Sequence, residues 1–141
     1  MTDTYILTIE APGPWITANQ RGNWRASAGH VAAWRAKAAW AAKAARLPAI
    51  DGHVRITAFV QRNHRRGGRW DPTNWAPTGK AAIDGLVDSG VLRDDSTRYV
   101  TGPDMRAGSV QPTNRLLLVI RRAEPEQDPT TMCPTTAEEA S

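Results

Sequence analysis

The sequence predicts a single small α+β domain of order β-α-β-α-β-β, with one mixed sheet, two helices packed on one face and a disordered acidic C-terminal tail. Three observations lead there. Four short segments carry apolar residues at strand spacing, and two longer segments between them carry them at helical spacing. The 141 residues suit one domain plus a tail, and 40% apolar with 23% charged residues are ordinary values for a globular chain. No apolar run approaches the roughly 18 residues of a membrane span; Leu116 to Ile120 reaches only five.

The first strand is Tyr5 to Glu10, where Ile6 and Thr8 alternate with Leu7 and Ile9, and Pro12, Gly13 and Pro14 end it. Trp15 to Arg25 mixes Asn19, Gln20, Arg21, Gly22 and Asn23 with two tryptophans and reads as an ordered loop. Ser27 to Arg46 reads as an alanine-rich helix. Val31, Trp34, Ala38, Ala41 and Ala45 form its apolar side, Arg35, Lys37, Lys43 and Arg46 decorate the other, Ser27 caps it and Pro48 closes it. In the strand His53 to Gln61, Val54, Ile56, Ala58 and Val60 share one face. A basic loop, Arg62 to Arg69, follows it. Pro77 to Asp88 is the second helix, with Pro77 in its first turn and Gly90 just past its end. Arg98 to Met105 and Asn114 to Arg122 are two further strands, whose order in the sheet periodicity does not reveal. We place the domain at 1–122 and the tail at 123–141, where large apolar residues are almost absent.

Charge divides the same way. The first 122 residues hold 18 basic and 9 acidic groups, a net of +9, while the tail holds five acidic groups and no basic one. A basic domain attracts polyanions, of which nucleic acid is the commonest. Other classes fall away. One cysteine, Cys133, permits neither an intrachain disulfide nor a thiolate zinc cluster. The N-terminus lacks a basic region followed by an apolar stretch, so no secretory signal is expected. His30, His53 and His64 show no ligand spacing and read as satisfied or exposed side chains. No P-loop glycine pattern precedes a helix, so no nucleotide cofactor is expected.

What remains is a set of aspartates: Asp71, Asp84, Asp88, Asp94 and Asp95. Lys80 and Asp84 are four apart and share a helix face, with Asp88 one turn further on. Asp94 and Asp95 sit in the turn after that helix, from which the chain can return toward Asp71. Two or three carboxylates converging there make a hard-oxygen site for Mg²⁺ or Mn²⁺. Taken singly, each element has a plainer account: a turn at Asp71-Pro72, a surface ion pair, a polar turn at Asp94-Asp95.

Taken together, Asp71-Pro-Thr-Asn74, then Lys80-Ala-Ala-Ile-Asp84-Gly-Leu86, then Gly90-Val-Leu-Arg-Asp94-Asp95 resemble the RusA family of Holliday junction resolvases. Asn19-Gln20-Arg21 resembles the family's N-terminal loop, and the resemblance spans about residues 5–122. It implies a homodimeric, Mg²⁺-dependent endonuclease (Mn²⁺ as substitute) that makes paired nicks in branched DNA at a four-way junction. A phage or prophage source and a bacterial, nucleoid-associated cytoplasmic setting go with it. It further implies catalytic roles for Asp71, Lys80, Asp95 and Asn74, with Asp71, Asp95, Asp94 and Asp84 as metal ligands. Asn19, Gln20, Arg21, Arg25, Arg62, Arg65, Arg66 and Arg69 are the expected DNA contacts, and Trp70 and Trp75 flank the site. Two features depart from the family: Thr73 stands where it has a second aspartate, and Trp75 to Gly79 lengthens the gap before Lys80. On an extended segment Asp71 and residue 73 point the same way, so the sequence predicts a lost ligand unless Asp84 or Asp94 replaces it. The competing readings are a DNA-binding module without catalysis and a general Mg²⁺ nuclease for flaps.

The charge asymmetry makes a first prediction. Removing residues 124–141 should leave the circular dichroism spectrum unchanged and tighten DNA binding at low salt, with the gain vanishing as salt screens it. Truncation that unfolds the chain would contradict a tail without structural work.

Overall fold

The computed structural model describes residues 3–19, 24–64 and 70–131. Its elements are β1 (Thr4–Glu10), α1 (Trp24–Ala44), β2 (Val54–Gln61), a 3₁₀ turn (Pro72–Trp75), α2 (Ala76–Asp88), β3 (Val100–Ala107), β4 (Arg115–Arg122) and a second 3₁₀ turn (Pro129–Thr131). The sheet has the order β1-β4-β2-β3. β4 runs antiparallel to both β1 and β2, and β3 runs parallel to β2, so the sheet is mixed as expected. A parallel pair needs a crossover, and the 3₁₀ turn with α2 supplies it. The β2–β3 register shifts between Arg55 and Thr57, and Gly102 lies at that bulge with φ +124°, against the Ile56 carbonyl.

One sheet face is buried. Leu7 and Ile9, the Val54-Ile56-Ala58-Val60 row, and Leu116, Leu118 and Ile120 meet Trp34, Ala38, Ala41 and Ala42 of α1 and Ala81, Ala82, Ile83 and Leu86 of α2. α1 lies over β1 and α2 over β3. The other side of β1 is open, and Ile6 is 63% exposed there. Among the described residues, no helix is long and apolar enough to cross a membrane.

Several boundaries move. Trp24 and Arg25, expected in the first loop, are already helical, so Ser27 lies inside α1 and does not cap it. Residue type alone suggested that cap, and nothing in Trp24-Arg25-Ala26 opposes helix. At the other end α1 stops at Ala44, before Pro48 can act. Arg46 takes φ 58° and Leu47 N–H reaches back to the Ala42 carbonyl at 3.1 Å, a closing loop that leaves Ala45 exposed rather than in the core. Gly90 does the same for α2, with φ 85° and a 3.1 Å bond from Val91 N–H to the Leu86 carbonyl. β3 starts at Val100, because Ser96 to Tyr99 forms a turn in which the Ser96 carbonyl accepts from Tyr99 and Val100. Of the tail, 123–131 holds one 3₁₀ turn, and 132–141 lie outside the described residues.

The helices cross at Gly85. A Cβ there would stand 2.4 Å from the Arg35 carbonyl oxygen and 2.7 Å from the Ala38 methyl group, so only glycine allows this approach. Gly85→Ala should therefore destabilise the protein by roughly 1–3 kcal/mol, despite alanine's better helix propensity. Gly29→Ala, in α1 where an added Cβ meets nothing within 4 Å, should stabilise it. Urea midpoints moving in opposite directions are the expected result; equal shifts would remove the crossing argument.

Candidate active site

α2 sorts its residues by period. Ala81, Ala82, Ile83, Gly85 and Leu86 are buried, leaving Lys80, Asp84 and Asp88 as a polar stripe along one edge. Val91 and Leu92 then plug the turn into the core, and the Val91 carbonyl accepts from Ile50 N–H at 2.8 Å. That anchorage turns Asp94 and Asp95 back along α2. Lys80 Nζ donates to Asp84 Oδ1 at 3.0 Å and to Asp95 Oδ2, and Asp94 Oδ1 accepts from Asp95 N–H at 2.9 Å. Asp84, Asp94 and Asp95, with Arg35 and Val87, line a cleft of about 330 Å³.

Asp71 and Asn74 stand elsewhere. Residues 72–75 are 3₁₀ rather than extended, so the expectation that positions 71 and 73 point the same way does not hold. Asp71 instead caps this turn, its Oδ1 accepting from Thr73 N–H at 3.0 Å. The Thr73 hydroxyl and this backbone bond hold the Asp71 carboxyl below the usual range. Trp70, Asp71, Pro72, Asn74 and Trp75 line a second groove of about 620 Å³. Trp70 and Trp75 meet edge to face, and the Arg62 guanidinium stacks 3.9 Å from the Trp70 ring centre. The Trp75 indole Nε1 is buried without a hydrogen-bond partner among the described residues.

The first loop is fixed beside this groove by side chains that sequence reading passed over. Thr78, fully buried, donates from its hydroxyl to the Ile16 carbonyl at 2.7 Å and accepts from Ile16 N–H at 2.9 Å. Ala18 N–H donates to the Asn74 carbonyl at 2.8 Å. Trp34 Nε1 donates to the Pro14 carbonyl at 2.9 Å, and the Trp15 and Trp34 rings stack 5.2 Å apart. A hydroxyl on the apolar side of a helix was the available signal for Thr78. Of the expected DNA contacts, Asn19 is exposed in the turn that ends this described stretch. Arg25 is exposed on α1 rather than in the loop. Gln20, Arg21, Arg65, Arg66 and Arg69 lie outside the described residues. His53 is buried and satisfied, by the Arg98 carbonyl at 3.0 Å and the Thr101 hydroxyl at 2.7 Å.

No family model matches this chain, and no curated protein matches it. The residues themselves must carry the chemistry. Carboxylates are the right donors for a hard divalent cation, and Asp84 and Asp95 already point at one cation position. The Lys80 ammonium fills it. Among the described residues, no three His, Cys, Asp or Glu side chains surround a common ion position.

The Lys80 hydrogen bond, chiefly, holds the Asp95 carboxyl below the usual carboxylate range, and the same bond raises the Lys80 ammonium. A lowered carboxyl keeps its partner at pH values above its ordinary pKa and releases it as pH falls through the lowered value. Lys80→Met should therefore move the Asp95 carboxyl midpoint upward in an NMR titration. An unchanged midpoint would mean that the two groups are not paired in solution.

Proposed function

We propose that this protein is a metal-dependent, structure-selective endodeoxyribonuclease that resolves four-way DNA junctions by paired nicks, in recombination and repair. The observation that carries the reading is Lys80 held between Asp84 and Asp95, two of the three carboxylates that line a cleft with Asp94, on a domain whose first 122 residues are net +9. The motif resemblance adds the substrate: branched DNA, met by a homodimer whose two-fold axis matches the junction's symmetry. Its setting is the cytoplasm of a bacterium, at the nucleoid, and its source a phage or prophage.

Asp95, Asp94 and Asp84 are the residues that would hold Mg²⁺ or Mn²⁺; Asp71, which the resemblance would add, lines the separate groove of Trp70 and Trp75. The cation would supply Lewis-acid polarisation of the attacked phosphodiester. The protein's own groups do the rest. Lys80 is close enough to the carboxylates to pass from them to an incoming phosphate and to stabilise developing negative charge there. Asn74, beside Asp71, orients the backbone by hydrogen bonding. Arg62 and the basic residues after it grip the junction arms through phosphates, which gives affinity without sequence preference.

One observation favours a DNA-binding module without catalysis: Asp71 lines a different groove from Asp84, Asp94 and Asp95. Incubation with four-way junctions, flaps and matched linear duplex, with and without Mg²⁺ or Mn²⁺, separates the readings. Paired metal-dependent nicks confined to the junction are expected. Binding without any nicking would select the non-catalytic module, and flap cleavage the general nuclease. Asp95→Asn should abolish nicking, a loss of at least about 100-fold, while junction binding in EDTA survives on the arginines.

A further inference from the structure

The acidic cleft has a charged wall that the motif does not contain. Arg35 comes from α1, 49 residues before Asp84 in sequence, and lines the cleft with Asp84, Asp94 and Asp95. Two features fix it there. Its backbone carbonyl lies against Gly85, the neighbour of Asp84, at the tightest point of the helix crossing. Its guanidinium is gripped by one carboxylate, Nη2 donating to Asp88 Oδ1 at 2.8 Å and Nε to Asp88 Oδ2 at 2.5 Å. This pair of bonds uses one edge of the planar group. Nη1, on the opposite edge, makes no hydrogen bond among the described residues.

A phosphodiester entering this cleft meets three carboxylates, and Lys80, which bonds two of them, does not line it. Unassisted, the anion is repelled. A cation on the wall removes that penalty, and arginine suits the role because its fork matches two phosphate oxygens. The Asp88 grip fixes the guanidinium in advance, so little ordering entropy is lost when phosphate arrives. Asp88, and to a smaller degree Asp84 and Asp95, also hold the guanidinium pKa above its ordinary value, and the residue that carries this charge lines the cleft. We infer that Arg35 is a phosphate-binding residue of this cleft, presenting its Nη1 edge to the DNA backbone, and that Asp88 is its positioning residue. The inference rests on the nuclease reading, whose cleft it completes.

The rival account makes Arg35–Asp88 a strut between helices and nothing more. Full-length Arg35→Gln, Arg35→Lys and Asp88→Asn separate the two, each assayed for junction binding in EDTA across a salt series, for Mg²⁺-dependent nicking and for thermal melting. Arg35→Gln should weaken binding roughly threefold to tenfold and lower the salt slope by about one. Arg35→Lys keeps the charge and should restore the slope but not the full nicking rate. Asp88→Asn adds a net positive charge, so electrostatics alone would tighten binding. It should nevertheless slow nicking, because the guanidinium is no longer aimed. Variants that melt earlier while binding, slope and nicking match the wild type would leave only the strut. If Arg35→Gln fails to fold, Asp88→Asn and Arg35→Lys still decide through nicking. A wild type that binds junctions but never nicks refutes the nuclease reading, while the salt slope of Arg35→Gln still judges the arginine. A wild type that does not bind DNA removes both.

Discussion

At Gly85 the backbones of α1 and α2 come within the reach of one missing methyl group, and the placement of Arg35 beside the charged stripe of α2 follows from that contact. With any larger residue the helices would separate, carrying Arg35 away from Asp84 and Asp88. The glycine is therefore a packing residue and a site residue at once. It sits between the carboxylate that meets Lys80 and the leucine that fills the core, so one turn of helix couples stability to chemistry. The alanine-rich composition of α1 serves the same end. Ala38, Ala41 and Ala42 are buried and small, which keeps the interhelical distance short while Trp34 supplies the bulk at one end.

A second set of contacts holds the first loop. Trp34 and Thr78 belong to different helices, and each bonds a backbone group in the Pro14–Ile16 stretch. The loop that carries Asn19 is thus fixed by both helices and by the Asn74 carbonyl, although it has no regular structure of its own. Buried hydrogen bonds of this kind contribute about 1 kcal/mol each, and leaving one partner unsatisfied costs more. They hold the Pro14–Ile16 stretch between α1 and α2.

The fold was legible because its periodicities are clean. The Val54-Ile56-Ala58-Val60 row, the Lys80-Asp84 spacing and the closing Gly90 all stand where pattern placed them. What escaped was whatever depends on contact between distant segments. Arg35 reads as ordinary surface decoration of α1 until Asp88 is seen beside it. Thr78 reads as a mild helix former until Ile16 is seen above it. Boundary shifts at Ser27 and Arg46 have a different origin. Cap residues were inferred from type, whereas the chain ended α1 with a left-handed arginine and started it at Trp24. The join of Asp95 to Lys80 and Asp84 was half legible: the turn was expected to return, and it returns to α2 rather than to Asp71.

Thr73 gains a physical meaning from that geometry. The resemblance would place a second carboxylate at position 73, on an extended segment that turns both acids the same way. Here the segment is a single 3₁₀ turn, and residue 73 donates its backbone N–H to Asp71 instead. Asp71 spends one carboxylate oxygen on capping this turn. The carboxylates that do converge are Asp84 of α2 and Asp95 of the turn after it, which meet on the Lys80 ammonium. Such a pair tolerates an exchange of one cation for another more readily than two unpaired carboxylates tolerate being left alone. Their mutual repulsion, about 4 kcal/mol for charges ~4 Å apart at a surface-like dielectric, is offset as long as some cation lies between them. Lysine thus keeps the acids together when nothing else is bound, and a cleft built this way alternates charge on a strongly basic domain. On the proposed nuclease reading, attraction of the DNA would fall to the surrounding arginines, and the acids would act only over the few ångströms where a bond is broken.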